Sequence, residues 1–152
     1  MSLIRVHASC VTFGATGVLI RGASGAGKSD LALRVIHLGG RLVADDQVYL
    51  QAQDGVLYAF APHVLRGRLE VRGVGIVELP YAHVSALGCI IDLIDGRNID
   101  RMPEPMKVEL AGLRIACHRL DPFEAAAPHK VAAIARLCHN PFTGRVRAPI
   151  DR

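Results

Sequence analysis

The stretch that decides the fold is Val18-Leu19-Ile20-Arg21-Gly22-Ala23-Ser24-Gly25-Ala26-Gly27-Lys28-Ser29. Its last eight residues satisfy the phosphate-binding pattern G-x-x-x-x-G-K-[ST], and they are Gly22, Ala23, Ser24, Gly25, Ala26, Gly27, Lys28 and Ser29. Glycines let the backbone come close to a phosphate, and N–H groups at the start of a helix attract its negative charge. We therefore predict a nucleotide-binding P-loop in which Lys28 contacts the β- and γ-phosphates and Ser29 ligates Mg²⁺.

The sequence on both sides of this loop favours the same interpretation. Val18-Leu19-Ile20 is a short, mostly β-branched run of the kind that forms a buried strand. After the loop, Leu31, Val35 and Leu38 recur at helical spacing, and Gly39-Gly40 is typical of the end of a helix. A P-loop requires a strand before it and a helix after it, whereas a plain glycine-rich turn does not. This context therefore favours the P-loop.

Two further stretches carry candidate functional side chains. Residues 3–13 are predicted to form one strand that contains His7, although a single strand histidine is more often structural than functional. After the P-loop helix, an apolar run ends in Asp45 and Asp46, where α/β proteins bind ligands, although a polar turn is the plainer interpretation. Because adjacent strand residues face opposite ways, the two carboxylates are expected to do different things.

The remaining chain predicts a mixed α/β arrangement. Residues 65–77 combine glycines with charges, and Glu70 and Arg72 would share one strand face, which an edge strand would also explain. The other predicted elements are a hairpin of residues 48–52 and 56–61, a buried strand at 88–94, a hairpin of residues 106–110 and 113–117, a helix from 128 to 138, and a mobile tail over about 141–152.

Composition restricts the class of protein. The chain has 152 residues, which fits one domain spanning residues 1–152, and it contains no apolar run long enough for a membrane span. Its start lacks the uninterrupted apolar core of a signal peptide, and its four widely spaced cysteines suit a reduced, cytoplasmic protein. The net charge is +4 and the arginines are dispersed, which argues against nucleic-acid binding. Hydrophobic residues make up 51%, and we expect the surplus to lie in subunit contacts.

The motifs resemble a known family when they are taken in order. His7 is followed by G-A-S-G-A-G-K-S, then by R-L-V-A-D-D at 41–46, then by L-E-V-R-G-V-G-I-V at 69–77. This order resembles the catalytic domain of HPr kinase/phosphorylase, closely over about residues 5–80 and more loosely to about 115, in the short form without an N-terminal domain. The resemblance implies an α/β fold related to phosphoenolpyruvate carboxykinase, in which a mixed β-sheet core carries the P-loop helix and a C-terminal helix.

The resemblance also implies an activity. The family uses Mg²⁺ and ATP to phosphorylate a serine of HPr, a phosphocarrier protein, and removes that group with inorganic phosphate, which releases pyrophosphate. Its members assemble as hexamers. By position, Asp46 matches the residue that acts as base and acid, and Glu70 a metal-associated carboxylate. The whole set implied by position comprises the catalytic residues His7, Lys28, Asp46 and Arg101 and the metal-associated residues Ser29, Asp45 and Glu70.

The last third of the chain departs from the family. Residues 108–114 retain only the glycine and arginine of the segment tied to phosphorolysis, and the helix that meets HPr is different or missing. Kinase activity is therefore the stronger expectation. Two alternatives stay open, namely a small-molecule kinase with the same P-loop and strand-end aspartate, and a nucleotide sensor without activity. A sensor does not need a base, so the set Lys28, Ser29, Asp46 and Glu70 argues against the second.

Overall fold

A computed structural model describes residues 3–138 and has a mixed α/β fold, as the sequence predicts. Its helices are α1 (Lys28–His37) and α2 (Ala127–Leu137), and two short 3-10 turns cover His63–Leu65 and Gly96–Asn98. The strands are β1 (Leu3–His7), β2 (Ser9–Phe13), β3 (Thr16–Arg21), β4 (Arg41–Ala44), β5 (Gln47–Gln53), β6 (Val56–Phe60), β7 (Arg68–Val71), β8 (Gly75–Glu78), β9 (Ser85–Leu93), β10 (Met106–Leu110) and β11 (Leu113–Leu120).

Nine of the eleven strands in residues 3–138 form one sheet. Its order is β1-β5-β6-β9-β3-β2-β4, and β11 lies beside residues 89–93 of β9 with β10 outside it. The strands β3, β9 and β11 are parallel, and β4 runs the same way because β2 is antiparallel to both β3 and β4. The carboxyl ends of β3, β4, β9 and β11 therefore share one edge of the sheet, which is where open α/β sheets bind ligands.

Both faces of the central strands are buried. Successive residues of β3 alternate between two apolar clusters, so that Leu19 belongs to one and Ile20 to the other. The helices cover the Ile20 face through α1 residues Leu31 and Val35 and α2 residue Val131. The Leu19 face is covered by the sheet itself, which curls so that β4 and β6 contact each other across the three strands between them. This core fixes the strand ends that carry the site.

Most local predictions are confirmed. The β5–β6 and β10–β11 hairpins pair as expected, and the buried strand predicted at 88–94 corresponds to the second half of β9, which ends at Leu93. The predicted helix at 128–138 is α2, and all four cysteines are free thiols. Within residues 3–138, no helix has both the length and the apolar character needed to cross a bilayer. The tail predicted over 141–152 lies outside the described residues.

Three local predictions are wrong. The strand over 3–13 is interrupted at Ala8, whose N–H bonds to the Asp46 carbonyl at 3.3 Å, so β1 pairs with β5 while β2 pairs with β3 and β4. Leu38 is exposed, because it follows the last residue of α1 and does not continue the apolar face. Residues 65–77 do not form one strand, since β7 and β8 make a separate hairpin that places Arg72 in its turn.

Candidate active site

The P-loop follows β3 and leads into α1, as the motif requires. Gly25 and Gly27 have φ of 81° and 100°, values that favour glycine, and the Ala26 N–H closes the loop onto the Ala23 carbonyl at 3.0 Å. No side chain of residues 3–138 caps the start of α1, so the first-turn N–H groups have no side-chain acceptor. Free N–H groups at a helix start are the donors that bind a phosphate.

Lys28 is held inside the loop that it would serve. Its Nζ donates to the Gly22 carbonyl at 2.8 Å and to the Ala23 carbonyl at 3.0 Å, and the residue is buried. A lysine ammonium has three donors, and these two contacts leave one of them for another acceptor. The loop therefore places a nearly desolvated positive charge at its centre, with one N–H available to a phosphoryl oxygen.

The entry to the loop leaves little room for a side chain. A Cβ added at Gly22 would lie 3.1 Å from the Ala26 Cβ and 3.3 Å from the Leu93 Cβ. One residue earlier, Arg21 binds Asp92 of β9 through two parallel hydrogen bonds of 2.7 and 3.0 Å, and these bonds raise the pKa of the Arg21 guanidinium. The end of β3 is thus fixed to β9 at the point where the loop begins.

Asp45 joins three elements beneath the loop. Its Oδ1 accepts one hydrogen bond from the Ser29 hydroxyl of α1 and another from the Ser9 hydroxyl of β2, both at 2.8 Å. Only 9% of Asp45 is exposed. Sequence reasoning missed Ser9, although it lies two residues after His7. Its role depends on the antiparallel register of β2 and β4, which places Cys10 opposite Ala44 and so brings Ser9 beside Asp45.

Ser9→Ala is expected to lower the free energy of unfolding by about 2 kcal/mol, because a buried carboxylate loses one of its two hydroxyl donors. Ser85→Ala is the matched control, since Ser85 is also buried but bonds the neutral Thr12 hydroxyl at 3.2 Å, and its loss should cost about 1 kcal/mol. Urea denaturation of both variants measures the difference. Equal costs would contradict the anchoring role of Ser9.

Asp46 differs from Asp45 through its backbone. It has a φ of 70°, a left-handed conformation that aspartate tolerates better than most residues. Its side chain is 63% exposed, and its Oδ1 lies 3.1 Å from the His7 Nδ1. The expectation that the two carboxylates differ through strand alternation is wrong in its reason, because β4 ends at Ala44 and both side chains line the same cavity.

One cavity of about 450 Å³ brings most of the predicted site together. It lies where the carboxyl ends of β3 and β4 meet the start of β2 and the β7–β8 hairpin. The predicted site residues among its lining are His7, Ser24, Gly25, Gly27, Lys28, Ser29, Asp45, Asp46 and Glu70. Gly22, Ala23 and Ala26 complete the loop behind this lining and form its internal hydrogen bonds.

Arg101 is the predicted site residue that this chain does not bring to the cavity. It is exposed, in the segment between the second 3-10 turn and β10. The rest of the lining was not predicted from the sequence and comprises Ser9, Asp30, Leu33, Val71, Arg72 and Phe123. Phe123 follows β11 and reaches the P-loop from a distant part of the chain, so no local sequence signal could have indicated it.

Comparison with known proteins agrees with this geometry. A family model described as the HPr serine kinase C-terminal domain matches residues 2–87, which is more than half of the chain. The chain belongs to this family. The matched residues contain the P-loop, Asp45, Asp46 and Glu70, so the resemblance seen in the motifs is confirmed.

Similar proteins carry related names. The HPr kinase/phosphorylase of Clostridium novyi (strain NT) is 49% identical over 76 residues, which cover 50% of this chain and 25% of that protein. That of Clostridium tetani (strain Massachusetts / E88) is 43% identical over 96 residues, 59% of this chain and 32% of that protein. The matches thus span about a quarter to a third of the length of these relatives.

A solved structure supports the fold. The Hpr(Ser) kinase/phosphatase from Coxiella burnetii superposes with a TM-score of 0.79, covering 88% of this chain and 95% of that one. Sequence identity is 22%, so the likeness concerns the fold. The mixed sheet with two helices, predicted from the sequence, is confirmed by this comparison.

Proposed function

We propose that this chain is an ATP-dependent protein serine kinase whose substrate is an HPr-type phosphocarrier protein. The observation that carries the proposal is the convergence of two groups on one cavity, the P-loop with Lys28 and the exposed Asp46–His7 pair. The first is built to hold phosphates, and the second to accept a proton from a hydroxyl group. Family membership and the names of the relatives agree with this reading.

The P-loop would bind the β- and γ-phosphates of ATP. The first-turn N–H groups of α1 would donate to phosphoryl oxygens, and Lys28 would add its remaining N–H and its charge. These contacts grow stronger as charge develops on the transferred group, because the loop is fixed before the reaction begins. The loop therefore contributes to the rate as well as to affinity.

The residues near Ser29 fit a magnesium ion. The Ser29 hydroxyl and the Asp45 and Glu70 carboxylates line one cavity, and Mg²⁺ prefers oxygen ligands of these kinds, together with phosphates. The second oxygen of Asp45 accepts no hydrogen bond from residues 3–138, so it is free to face an ion or one of its waters. When bound, Mg²⁺ would neutralise phosphate charge.

Asp46 would act as the base. In the forward direction the serine oxygen of HPr attacks the γ-phosphorus, the bond to the leaving ADP oxygen breaks, and Asp46 takes the hydroxyl proton. The His7 Nδ1 contact occupies Oδ1 of Asp46 and leaves its Oδ2 without a partner among residues 3–138. His7 would thereby hold the carboxylate in place while the free oxygen receives the proton.

The same groups would serve the reverse direction. An oxygen of inorganic phosphate attacks the phosphorus of phosphoserine, the bond to the serine oxygen breaks, and pyrophosphate forms. In this direction Asp46 starts protonated from solvent and gives that proton to the departing serine oxygen, so it acts as the acid where it acted as the base in the kinase direction. In this direction the P-loop would hold inorganic phosphate. We propose this phosphorolysis as a second activity of the same cavity.

Exposure favours a protein substrate over a metabolite. The Asp46 and His7 side chains are more than half exposed, so the base lies at an open rim that a serine on another protein can reach. A metabolite kinase would be expected to enclose its acceptor in a closed pocket. The small-molecule kinase therefore fits this cavity less well, and the presence of a base argues against a nucleotide sensor.

ATP turnover with different acceptors tests the choice of substrate. The chain is incubated with Mg²⁺ and ATP, either alone, with HPr, or with small sugars and other hydroxyl compounds. We expect ADP formation to rise with HPr. If ADP formation rose with a small hydroxyl compound and not with HPr, the chain would instead be a metabolite kinase.

We also propose that the chain forms a homo-oligomer, as the family resemblance implies a hexamer. Large apolar side chains are exposed on the surface of residues 3–138, including Val64, Val74 and Ile76. Sedimentation equilibrium would measure the mass of the assembly. A monomer at all working concentrations would contradict this part of the proposal.

A further inference from the structure

We infer that Phe123 is the stacking platform for the nucleobase of the triphosphate held by the P-loop. The inference rests on the proposed function, which identifies the phosphates, and adds where the base and its sugar lie. It begins from an exposed aromatic side chain that the phosphoryl transfer does not use. Phe123 is 74% exposed and lines the same cavity as Lys28 and Asp46.

The Phe123 ring lies beside the P-loop, and both line one cavity. A Cβ placed on Gly27 would lie 3.5 Å from the Cε1 atom of the Phe123 ring and 3.5 Å from Pro122, which is van der Waals contact. Gly27 is the residue immediately before Lys28. The ring therefore lies next to the residue that precedes Lys28, and most of the residue is exposed.

The segment that carries Phe123 is fastened to α1. Arg34 of α1 donates through Nη1 to the Glu124 carbonyl at 3.3 Å and through Nη2 to the Pro122 carbonyl. At its start, Asp121 accepts the Phe123 N–H at 2.9 Å and the Gly96 N–H at 3.3 Å. The backbone on both sides of Phe123 is thus fixed, which keeps the residue beside the P-loop.

Sheet topology places Phe123 at the end where the nucleoside should lie. The local strand order is β11-β9-β3-β2-β4, so the P-loop after β3 lies between Asp46, which follows β4, and Phe123, which follows β11. The transferred phosphate must face Asp46. The other end of the triphosphate, with its sugar and base, then points toward the β11 side.

An aromatic ring at this end matches the chemistry of a nucleobase. Stacking on an aromatic side chain binds any base through its π face, and its removal by alanine typically weakens binding by a factor of about ten or more. The ring has no hydrogen-bonding group and would not distinguish one base from another. Phe123 would therefore add affinity for nucleoside triphosphates over inorganic polyphosphates.

The test compares ATP with tripolyphosphate, which has the three phosphates without a base. By calorimetry, Phe123→Ala should weaken ATP binding about tenfold and leave tripolyphosphate binding within about twofold of the wild type. Phe123→Trp keeps an aromatic ring at this position and should bind ATP with close to wild-type affinity. Met102→Ala is the matched control, because Met102 is also a large exposed apolar residue but lies outside the cavity lining, and it should leave both affinities unchanged.

A second readout follows from the composition of the chain. It contains no tryptophan, so Phe123→Trp introduces a single fluorophore at the proposed stacking position. ATP should quench its emission, and tripolyphosphate should quench it far less. Equal quenching by both ligands, or no response to ATP at concentrations that saturate the protein, would overturn the assignment.

The outcomes separate this inference from the proposed function. If Phe123→Ala weakens ATP and tripolyphosphate equally, the residue supports the loop and does not bind a base. If it changes neither affinity but raises the KM for HPr, the ring belongs to a protein contact. Either result overturns the inference while phosphate binding stands. If wild-type protein binds neither ligand, the P-loop account and this inference both fail.

Discussion

Asp46→Asn is expected to lower the rate of serine phosphorylation by about 10²- to 10⁴-fold and to leave ATP affinity unchanged. Asparagine has nearly the same shape and also tolerates the φ of 70° at this position, so the local backbone should be preserved. Its amide cannot take the proton from an attacking serine. Rate and affinity are measured by phosphoserine formation under saturating ATP and by calorimetry.

The control for this variant is Asp54→Asn. Asp54 also has a positive φ, at 54°, but it is exposed in the β5–β6 turn and outside the cavity lining. It should retain the wild-type rate and affinity. If Asp46→Asn kept a rate within a few fold of the wild type, Asp46 would not be the base, even with the P-loop account intact.

Lys28→Ala is expected to weaken ATP binding by about tenfold to a hundredfold, because a charged hydrogen bond to the phosphates is lost. Turnover should fall as well, since the same charge stabilises the transferred phosphoryl group. Tripolyphosphate binding should weaken in parallel with ATP binding, because Lys28 contacts phosphates and not the base. This parallel loss is the opposite of the pattern expected for Phe123→Ala.

Two variants separate the loss of the Lys28 ammonium from the loss of the packing of its side chain. Lys28→Met keeps most of the buried stem but removes the ammonium that bonds the Gly22 and Ala23 carbonyls, and it should show the same loss of binding as Lys28→Ala. Lys107→Ala removes an exposed lysine of β10 outside the cavity lining and should change nothing. Unchanged ATP affinity in both Lys28 variants would contradict the assignment of the P-loop.

Sequence patterns predicted the parts of the fold whose structure is determined by residues close together in the chain. The strand, loop and helix around Gly22 to Ser29 follow from an apolar run, positive-φ glycines and helical periodicity. The hairpins follow from turn residues such as Asp54-Gly55, both of which have positive φ. Each of these signals lies within a few residues of the structure that it specifies.

The contacts inside the cavity depend on how strands far apart in the sequence pair with each other. Ser9 reaches Asp45 because the chain breaks at Ala8 and re-enters the sheet as β2, beside β4. The left-handed backbone of Asp46 forms where its carbonyl accepts the Ala8 N–H, 38 positions away in the chain. A pattern read along one strand contains no information about either contact, so the sequence pointed to two carboxylates that line the cavity, but for an incomplete reason.

The residues assigned by family resemblance fall into two groups, according to how closely the surrounding motif matches. Glu70 lies in a closely matching motif and lines the cavity, whereas Arg101 lies where the resemblance is looser and is exposed away from it. Phe123 belongs to no motif and approaches Gly27 only because β11 pairs with β9, two strands from the P-loop strand. The order of strands in the sheet depends on pairing between distant segments of the chain, so local sequence patterns do not predict it.

The most direct test of the central claim is the detection of phosphoserine on HPr. Purified HPr is incubated with Mg²⁺, ATP and either wild-type protein, the Asp46→Asn variant or the Asp54→Asn variant, and is then analysed by peptide mass spectrometry. We expect one phosphorylated serine with wild-type protein and Asp54→Asn, and almost none with Asp46→Asn. Unmodified HPr in the presence of wild-type protein that binds ATP would contradict the proposed function.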